Sequence, residues 1–245
     1  EKMALFWANH FVCKDDNFLF TQRYHNLLRE NAFGNFGEFV KKISKEPAML
    51  NYLNNKKNVK KRPNENFARE LMELFTLGIG NYTEKDIKES ARAFTGYNFN
   101  DKGNFVIKEN RHDNGEKEFM DAKGNLNGDD IINEILANKQ CARFISEKIY
   151  TYFVNDKINK NHIDQMVSVF FPKYNIQELI EYVLLSLVSG QFIKSPKSMS
   201  NNRGLNASAN NLAQILGMDN NRALRRPEST QYNNKNNNKL NNNLL

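Results

Sequence analysis

Three glutamates and one arginine fall within a single apolar stretch, Asn64 to Gly80, which reads NENFARELMELFTLGIG. If the stretch is helical, one broad face is apolar and the other carries charges at four-residue steps: Glu65, Arg69 and Glu73, with Glu70 nearby. An arginine among carboxylates can hold one of them in place for proton transfer. The same spacing is typical of surface ion pairs. The stretch is therefore either a candidate acid–base site or the solvated side of a helix.

A second group of reactive side chains lies in RHDNGEKEF, residues 111–119. On a strand, Arg111 and Asp113 would share one face and His112 would lie on the opposite face, because neighbours alternate sides. An imidazole beside acidic groups suits general acid–base work or metal binding. It equally suits a hydrogen-bonded hairpin, and the triplet alone does not decide between the two.

The sequence does not identify a cofactor. It has no HExxH, P-loop, GxSxG or GxGxxG motif in the required context. The four histidines show no metal-ligand spacing among themselves: His10, His25, His112 and His162. A metal site would have to be assembled from residues distant in sequence.

Helical patterns dominate the chain that must position these residues. With 245 residues, of which 40% are apolar, one core is expected. Between residues 97 and 120 the helical pattern changes to turn signals and short β-type runs, so we predict a single mainly α domain with a small antiparallel β-hairpin insertion there. About eight to ten helices are expected, one of them opened by a capping box at Thr83 and Asp86.

The positive charge of the chain is concentrated near its end. Residues 194–245 hold eight of the 35 basic residues and two of the 28 acidic ones, so this segment carries +6 and residues 1–193 carry +1. Residues 218–245 are also rich in asparagine, and we predict a disordered tail there, after a helical domain over 1–217. An almost neutral folded body makes nucleic acid an unlikely partner, apart from weak binding through the tail.

Membrane and cysteine signals are weak. No apolar run reaches the roughly 18 residues needed to cross a bilayer, so no membrane span is expected. Cys13 and Cys141 lie far apart, and two reduced thiols are favoured over one disulfide.

Several motifs in order give the chain a family resemblance. FWANHF, NAFGNF, EPAMLNYL and the Asn64–Gly80 stretch are followed by ARAFTGY, RHDNGEKEFM, ARFISEKIYTYFV and FIKSP. Over about residues 3–196 the chain resembles the bacterial domain-of-unknown-function family number 1800. Beyond these limits the motifs are lost, and the chain is expected to be a fragment, truncated or divergent at both ends.

The resemblance implies a context rather than a reaction. Members of the family are often exported and encoded beside sulfatase-like exported proteins, so it implies a periplasmic or extracellular location and a sulfatase-like partner. It also gives a role of the charged signature residues in a site or a buried network the same weight as a solvated helix face.

Three functions are consistent with these observations. The first is an exported binding or scaffold-type protein that acts with a partner, and it predicts a large exposed apolar groove. The second is a hydrolase-like enzyme, with or without a metal ion, and it predicts that charged groups converge in a cleft. Its candidate catalytic residues are His10, Glu65, Arg69, Glu70, Glu73, Arg111, His112 and Asp113. The third is nucleic-acid binding through the basic tail, which predicts a strong salt dependence.

Overall fold

The computed structural model describes residues 1–192, and this part of the chain is mainly helical, as predicted. Its α-helices in chain order are α1 (Lys2–His10), α2 (Phe18–Glu30), α3 (Phe36–Ile43), α4 (Pro47–Tyr52), α5 (Asn66–Glu70), α6 (Glu84–Ala93), α7 (Gly128–Ala137), α8 (Lys139–Phe153), α9 (Lys160–Phe170) and α10 (Ile176–Val188). The predicted 218–245 tail, and the end of the domain predicted to extend to residue 217, lie outside the described residues.

The β insertion consists of two small antiparallel sheets. Strands β1 (Tyr97–Phe99) and β2 (Phe105–Ile107) form one, and β3 (Lys117–Phe119) and β4 (Ala122–Gly124) form the other. The strand assumed for residues 111–113 is wrong. The amides of Arg111 and His112 donate to the Lys108 carbonyl at 2.8 and 3.1 Å, which closes a local turn and leaves no ladder partner.

Asparagine side chains begin many of the helices. An Asn side chain accepts hydrogen bonds from first-turn amides at six helix starts: Asn17, Asn35, Asn127, Asn138, Asn159 and Asn175. Thr83 and Asp86 form the predicted capping box of α6. Each such cap contributes about 1 kcal/mol, since it satisfies amides that have no partner within the helix.

The charged Asn64–Gly80 stretch is not one regular helix. After α5 the chain forms a π-helical turn, Leu71–Thr76, which we call the π segment. It ends where the Leu77 amide donates to the Met72 carbonyl, five residues back, at 2.9 Å. A π turn holds one more residue than an α turn, so it changes the faces on which the following side chains lie. The four-residue spacing assumed from the sequence therefore fails beyond residue 70.

Aromatic residues fill the core beneath α1 and α3. Trp7 is fully buried, its Nε1 donates to the Ala32 carbonyl at 3.0 Å, and its ring contacts Phe11, Phe36 and Phe39. Burial of each large apolar side chain stabilises the fold by roughly 1.5–3 kcal/mol. This cluster fixes α1, which carries His10 at its end.

The starts of α3 and α10 are joined by backbone hydrogen bonds. The Phe36 amide donates to the Tyr174 carbonyl at 2.8 Å, and the Ile176 amide donates to the Gly34 carbonyl at 3.0 Å. An early helix is thereby fixed to a late one, and α9 packs against both α8 and α10.

Two smaller predictions also concern the described residues. Cys13 and Cys141 are free thiols, as predicted. Among residues 1–192, no helix has the length and apolar character that crossing a membrane requires.

Candidate functional site

An open cleft of about 750 Å³ lies between α1, α4, the π segment and α8. Aromatic rings form much of its wall: Phe6, Tyr52, Phe75, Phe144 and Tyr152. Several residues that line it are large, apolar and 41–51% exposed: Val12, Tyr52, Leu74, Tyr152 and Ile158. Its described lining also includes His10, two carboxyl groups, Glu70 and Glu147, and one lysine, Lys148. We refer to this space as the cleft.

His10 lies at the wall of the cleft as a neutral imidazole. Its Nε2 is 3.0 Å from the Phe75 carbonyl oxygen, and since a carbonyl only accepts, Nε2 carries the proton. Aromatic rings surround it, with that of Phe11 at 4.6 Å between centroids and that of Phe144 at 6.3 Å. Burial among them lowers the pKa of His10 to about 4, against the effect of the hydrogen bond, and the charge of Lys148 lowers it further.

Glu70 provides a carboxylate with an unused oxygen. It is the last residue of α5, and its Oε2 is buried without a hydrogen-bond partner in the described part of the chain. Burial raises the pKa of Glu70 and the neighbouring Glu73 raises it further, while Arg69 lowers it. An unsatisfied carboxylate oxygen is costly, so its presence beside an open space is characteristic of a binding or catalytic position.

Glu147 and Lys148 reach the cleft from α8. Burial raises the pKa of Glu147, and Arg143, one turn earlier, partly opposes this effect. The Lys148 ammonium lies 5.2 Å from the centre of the Phe144 ring. No ion pair joins Lys148 to a carboxylate among residues 1–192, so the cleft combines two carboxyl groups, one cation and a neutral imidazole.

The other charged residues of the Asn64–Gly80 stretch do not line the cleft. Arg69 pairs with Glu84 at 3.0 Å and with Glu65 at 3.3 Å, and these side chains are 36–68% exposed. The hydrogen bond from Arg69 lowers the pKa of Glu84. Glu73 accepts a hydrogen bond from the Tyr82 hydroxyl at 2.8 Å. The stretch therefore contributes Glu70 to the cleft. Arg69 contacts Glu84 of α6, Glu73 contacts Tyr82 in the loop before α6, and Glu65 pairs with Arg69.

The residues at 111–113 lie elsewhere and do not reach the cleft. Arg111 is exposed in a short turn, Glu109–Arg111, and His112 is buried with its Nδ1 2.6 Å from the Thr95 carbonyl oxygen. Asp113 accepts hydrogen bonds from Arg92 Nε and from the Gly115 amide, both at 2.8 Å. Burial raises the pKa of Asp113, but these hydrogen bonds outweigh it and leave the pKa below its usual value.

A buried lysine completes this second group. Lys117 is 1% exposed, and its ammonium donates to the carbonyls of Asp113 and Gly115 at 2.6 and 3.0 Å. The Glu89 carboxylate accepts hydrogen bonds from the Arg92 guanidinium and from the Glu118 backbone amide. We refer to Glu89, Arg92, Asp113 and Lys117 as the Asp113 network. Its hydrogen bonds are directed inward, and they tie β3 to α6.

The described residues do not offer an evident metal site. In residues 1–192, no three His, Cys, Asp or Glu side chains are grouped so that they could hold a metal ion. His10 Nδ1 and the carboxyl groups of the cleft remain able to accept hydrogen bonds or protons from a bound molecule.

Fold and site together define a helical domain with an open, aromatic-lined cleft. Residues 1–240 match the family described as "Protein of unknown function (DUF1800)", and the chain belongs to this family. The match continues past residue 196, where the motif comparison ended. No curated protein and no solved structure matches the chain.

The sequence did not single out Glu147 or Lys148. They lie on α8, some 75 residues after Glu70, in a segment whose pattern predicts only a helix. The signal that could have found them is their position at the edge of an apolar face, next to Phe144 and Tyr152. His10 and Glu70 were candidates, and the structure brings these two into one cleft.

Proposed function

We propose that this chain is a binding protein whose cleft receives an apolar group of a partner molecule. The observation that carries the proposal is the set of large apolar side chains exposed at the cleft: Val12, Tyr52, Leu74, Tyr152 and Ile158. Contiguous exposed apolar surface around a concavity is costly in water and is typical of binding sites. Export and a sulfatase-like partner stay predictions of the family resemblance.

The aromatic wall supports an apolar ligand rather than an ion alone. Phe6 and Phe75 are buried beneath the cleft, and Tyr152 packs edge-on against Phe6 with 5.2 Å between ring centroids. A floor held in this way is preformed, so a ligand does not have to order it on binding.

A neutral fluorescent dye, N-phenyl-1-naphthylamine, tests this function. We expect saturable dye binding by the wild-type chain, and at least tenfold weaker binding in Ile158→Asp, because the new carboxylate must be desolvated. Phe18→Asp is the matched control, since Phe18 is apolar and 74% exposed but does not line the cleft. No dye binding by the folded wild-type protein, or equal losses in both variants, would overturn the proposal.

Acid–base catalysis in the same cleft is the second candidate. It is favoured by the placement of Glu70, whose raised pKa suits a proton donor, in the same cleft as His10. It predicts turnover of p-nitrophenyl acetate, phosphate or glycosides that is lost in Glu70→Gln while dye binding persists. Absence of turnover with all three substrate classes counts against it.

A further inference from the structure

The charged side chains that line the cleft predict which chemical class of ligand it binds. Of the described residues that line the cleft, two have carboxyl groups, Glu70 and Glu147, and one is a cation, Lys148, so carboxyl groups outnumber cations. The Glu70 Oε2 atom, buried and without a partner in the described residues, is an acceptor that lacks a donor. We propose that the cleft binds an organic ammonium ion, with the apolar body against the aromatic wall and the ammonium group at Glu70. This inference rests on the proposed binding function and names its ligand class.

The aromatic rings favour the same ligand. The faces of Phe and Tyr rings attract cations, by about 0.5–2 kcal/mol depending on exposure to water. Among the described residues that line the cleft, Tyr52 and Tyr152 have exposed rings, at 41% and 43%. The Lys148 ammonium lies 5.2 Å from the centre of the Phe144 ring, so a cation is already placed beside one ring of the wall. His10 does not compete for the carboxylates, because its Nε2 proton is directed to the Phe75 carbonyl and the ring is neutral at pH 7.

The charged side chains near Glu70 do not form an ion pair with its carboxyl group. Arg69, its neighbour in sequence, is directed to Glu84 and Glu65, and Glu73 adds a second negative charge. Lys148 is exposed on α8 and makes no ion pair in the described part of the chain. An ammonium ion bound beside the Glu70 carboxyl group would bring N–H donors and a charge of opposite sign to a side chain that lines the cleft. Charge-assisted hydrogen bonds are among the strongest in proteins.

Three ligands of nearly equal shape test the inference: 4-phenylbutylamine, 4-phenylbutan-1-ol and 5-phenylpentanoate. Each is titrated against the dye-loaded wild-type protein at pH 7.5, and directly by calorimetry. We expect the amine to displace the dye at a concentration at least tenfold below that of the alcohol, and the carboxylate to be the weakest. In Glu70→Gln the preference for the amine should fall below threefold, whereas Glu73→Gln should retain it, because Glu73 does not line the cleft.

The outcomes separate this inference from the proposed function. Displacement by the amine and the alcohol at equal concentrations keeps the apolar binding function and overturns the ammonium preference. A preference that survives in Glu70→Gln also overturns it. If neither dye nor alcohol binds but the amine gives a saturable heat that Glu70→Gln abolishes, the cleft is an ammonium site without an apolar function. No binding of any ligand overturns both.

Discussion

The cleft and the Asp113 network are built from similar side chains and use them in opposite ways. In the Asp113 network a buried lysine, an arginine and two carboxylates hydrogen-bond to one another and to the backbone. In the cleft, Glu70 Oε2 has no partner in the described residues, and no hydrogen bond to His10 Nδ1 is present there. Groups that are satisfied internally hold a fold together, whereas unsatisfied groups beside open space are available to a ligand.

The largest effect is expected in the Asp113 network. Lys117→Met keeps most of the side-chain length but removes the ammonium, so the carbonyls of Asp113 and Gly115 lose their donor. Loss of such buried, charge-assisted bonds should lower the free energy of unfolding by about 3 kcal/mol. Urea denaturation followed by circular dichroism measures it.

A lysine of β4 is the control for this change. The Lys123 side chain is 65% exposed and, within the described residues, its one ion pair is with Glu116, so Lys123→Met should change stability by less than about 0.5 kcal/mol. Equal losses in the two variants would remove the distinction between the buried network and ordinary surface charge.

The pH dependence of stability should report on the cleft. The pKa of His10 is about 4 in the folded chain, below the ordinary value of 6.5, so the unfolded chain binds the extra proton between these values. The contribution of neutral His10 to the free energy of unfolding is fully present above pH 6.5 and is lost as pH falls toward 4. Between pH 7 and 4.5 the loss should be on the order of 2 kcal/mol, and His10→Gln should remove this part of the dependence.

The carboxyl groups of the cleft change the stability of the fold with pH in the opposite direction to His10. The raised pKa values of Glu70 and Glu147 favour their protonated forms in the fold, so the stabilisation that these protonated forms provide is lost as pH rises.

His25→Gln is the matched control for His10→Gln, because His25 is exposed on α2. A wild-type pH profile that His10→Gln leaves unchanged would show that His10 is not desolvated by the aromatic wall.

Neutralising two glutamates of the same stretch should have effects of opposite sign. Glu70→Gln removes an unpaired carboxylate and should raise the free energy of unfolding at pH 8 by up to about 1 kcal/mol. Glu73→Gln weakens the bond from the Tyr82 hydroxyl and should lower it by about 0.5–1 kcal/mol. Denaturation midpoints at pH 8 compare the two directly, and a loss in both would mean that Glu70 stabilises the fold.

The smallest effect is expected at Arg69. Its ion pairs with Glu65 and Glu84 are solvent-exposed, so Arg69→Gln should cost about 0.5 kcal/mol. The difference from wild type should disappear in 1 M NaCl, because salt screens exposed charges. A cost above about 2 kcal/mol that persists in salt would place Arg69 in a structural network after all.

Local signals in the sequence predicted much of the fold and only part of the candidate site. The Thr83 capping box predicted the start of α6, because a cap depends on residues three positions apart. The π segment left no such signal, and it removed Glu73 from the four-residue spacing that the sequence suggested after Arg69. Glu147 was missed because its place depends on how α8 packs against α1 and the π segment, which no local pattern encodes.

The family resemblance rests in part on the motif RHDNGEKEFM, and the structure gives its His112 and Asp113 contacts within the fold. The buried Lys117, four residues after Asp113, is the feature that a hydrophobicity pattern could not predict. A lysine is seldom buried, and it is tolerated here because backbone carbonyls surround its ammonium group.

The hydrogen bonds between the starts of α3 and α10 have a consequence for how the chain reaches its fold. Phe36 and Tyr174 are far apart in sequence, so their pairing closes a loop that contains most of the described chain. Such contacts raise the contact order, and they form only after the intervening helices have collapsed, which slows folding relative to a simple helical bundle. During synthesis, the hydrogen bonds between the starts of α3 and α10 cannot form until residue 176 has emerged from the ribosome.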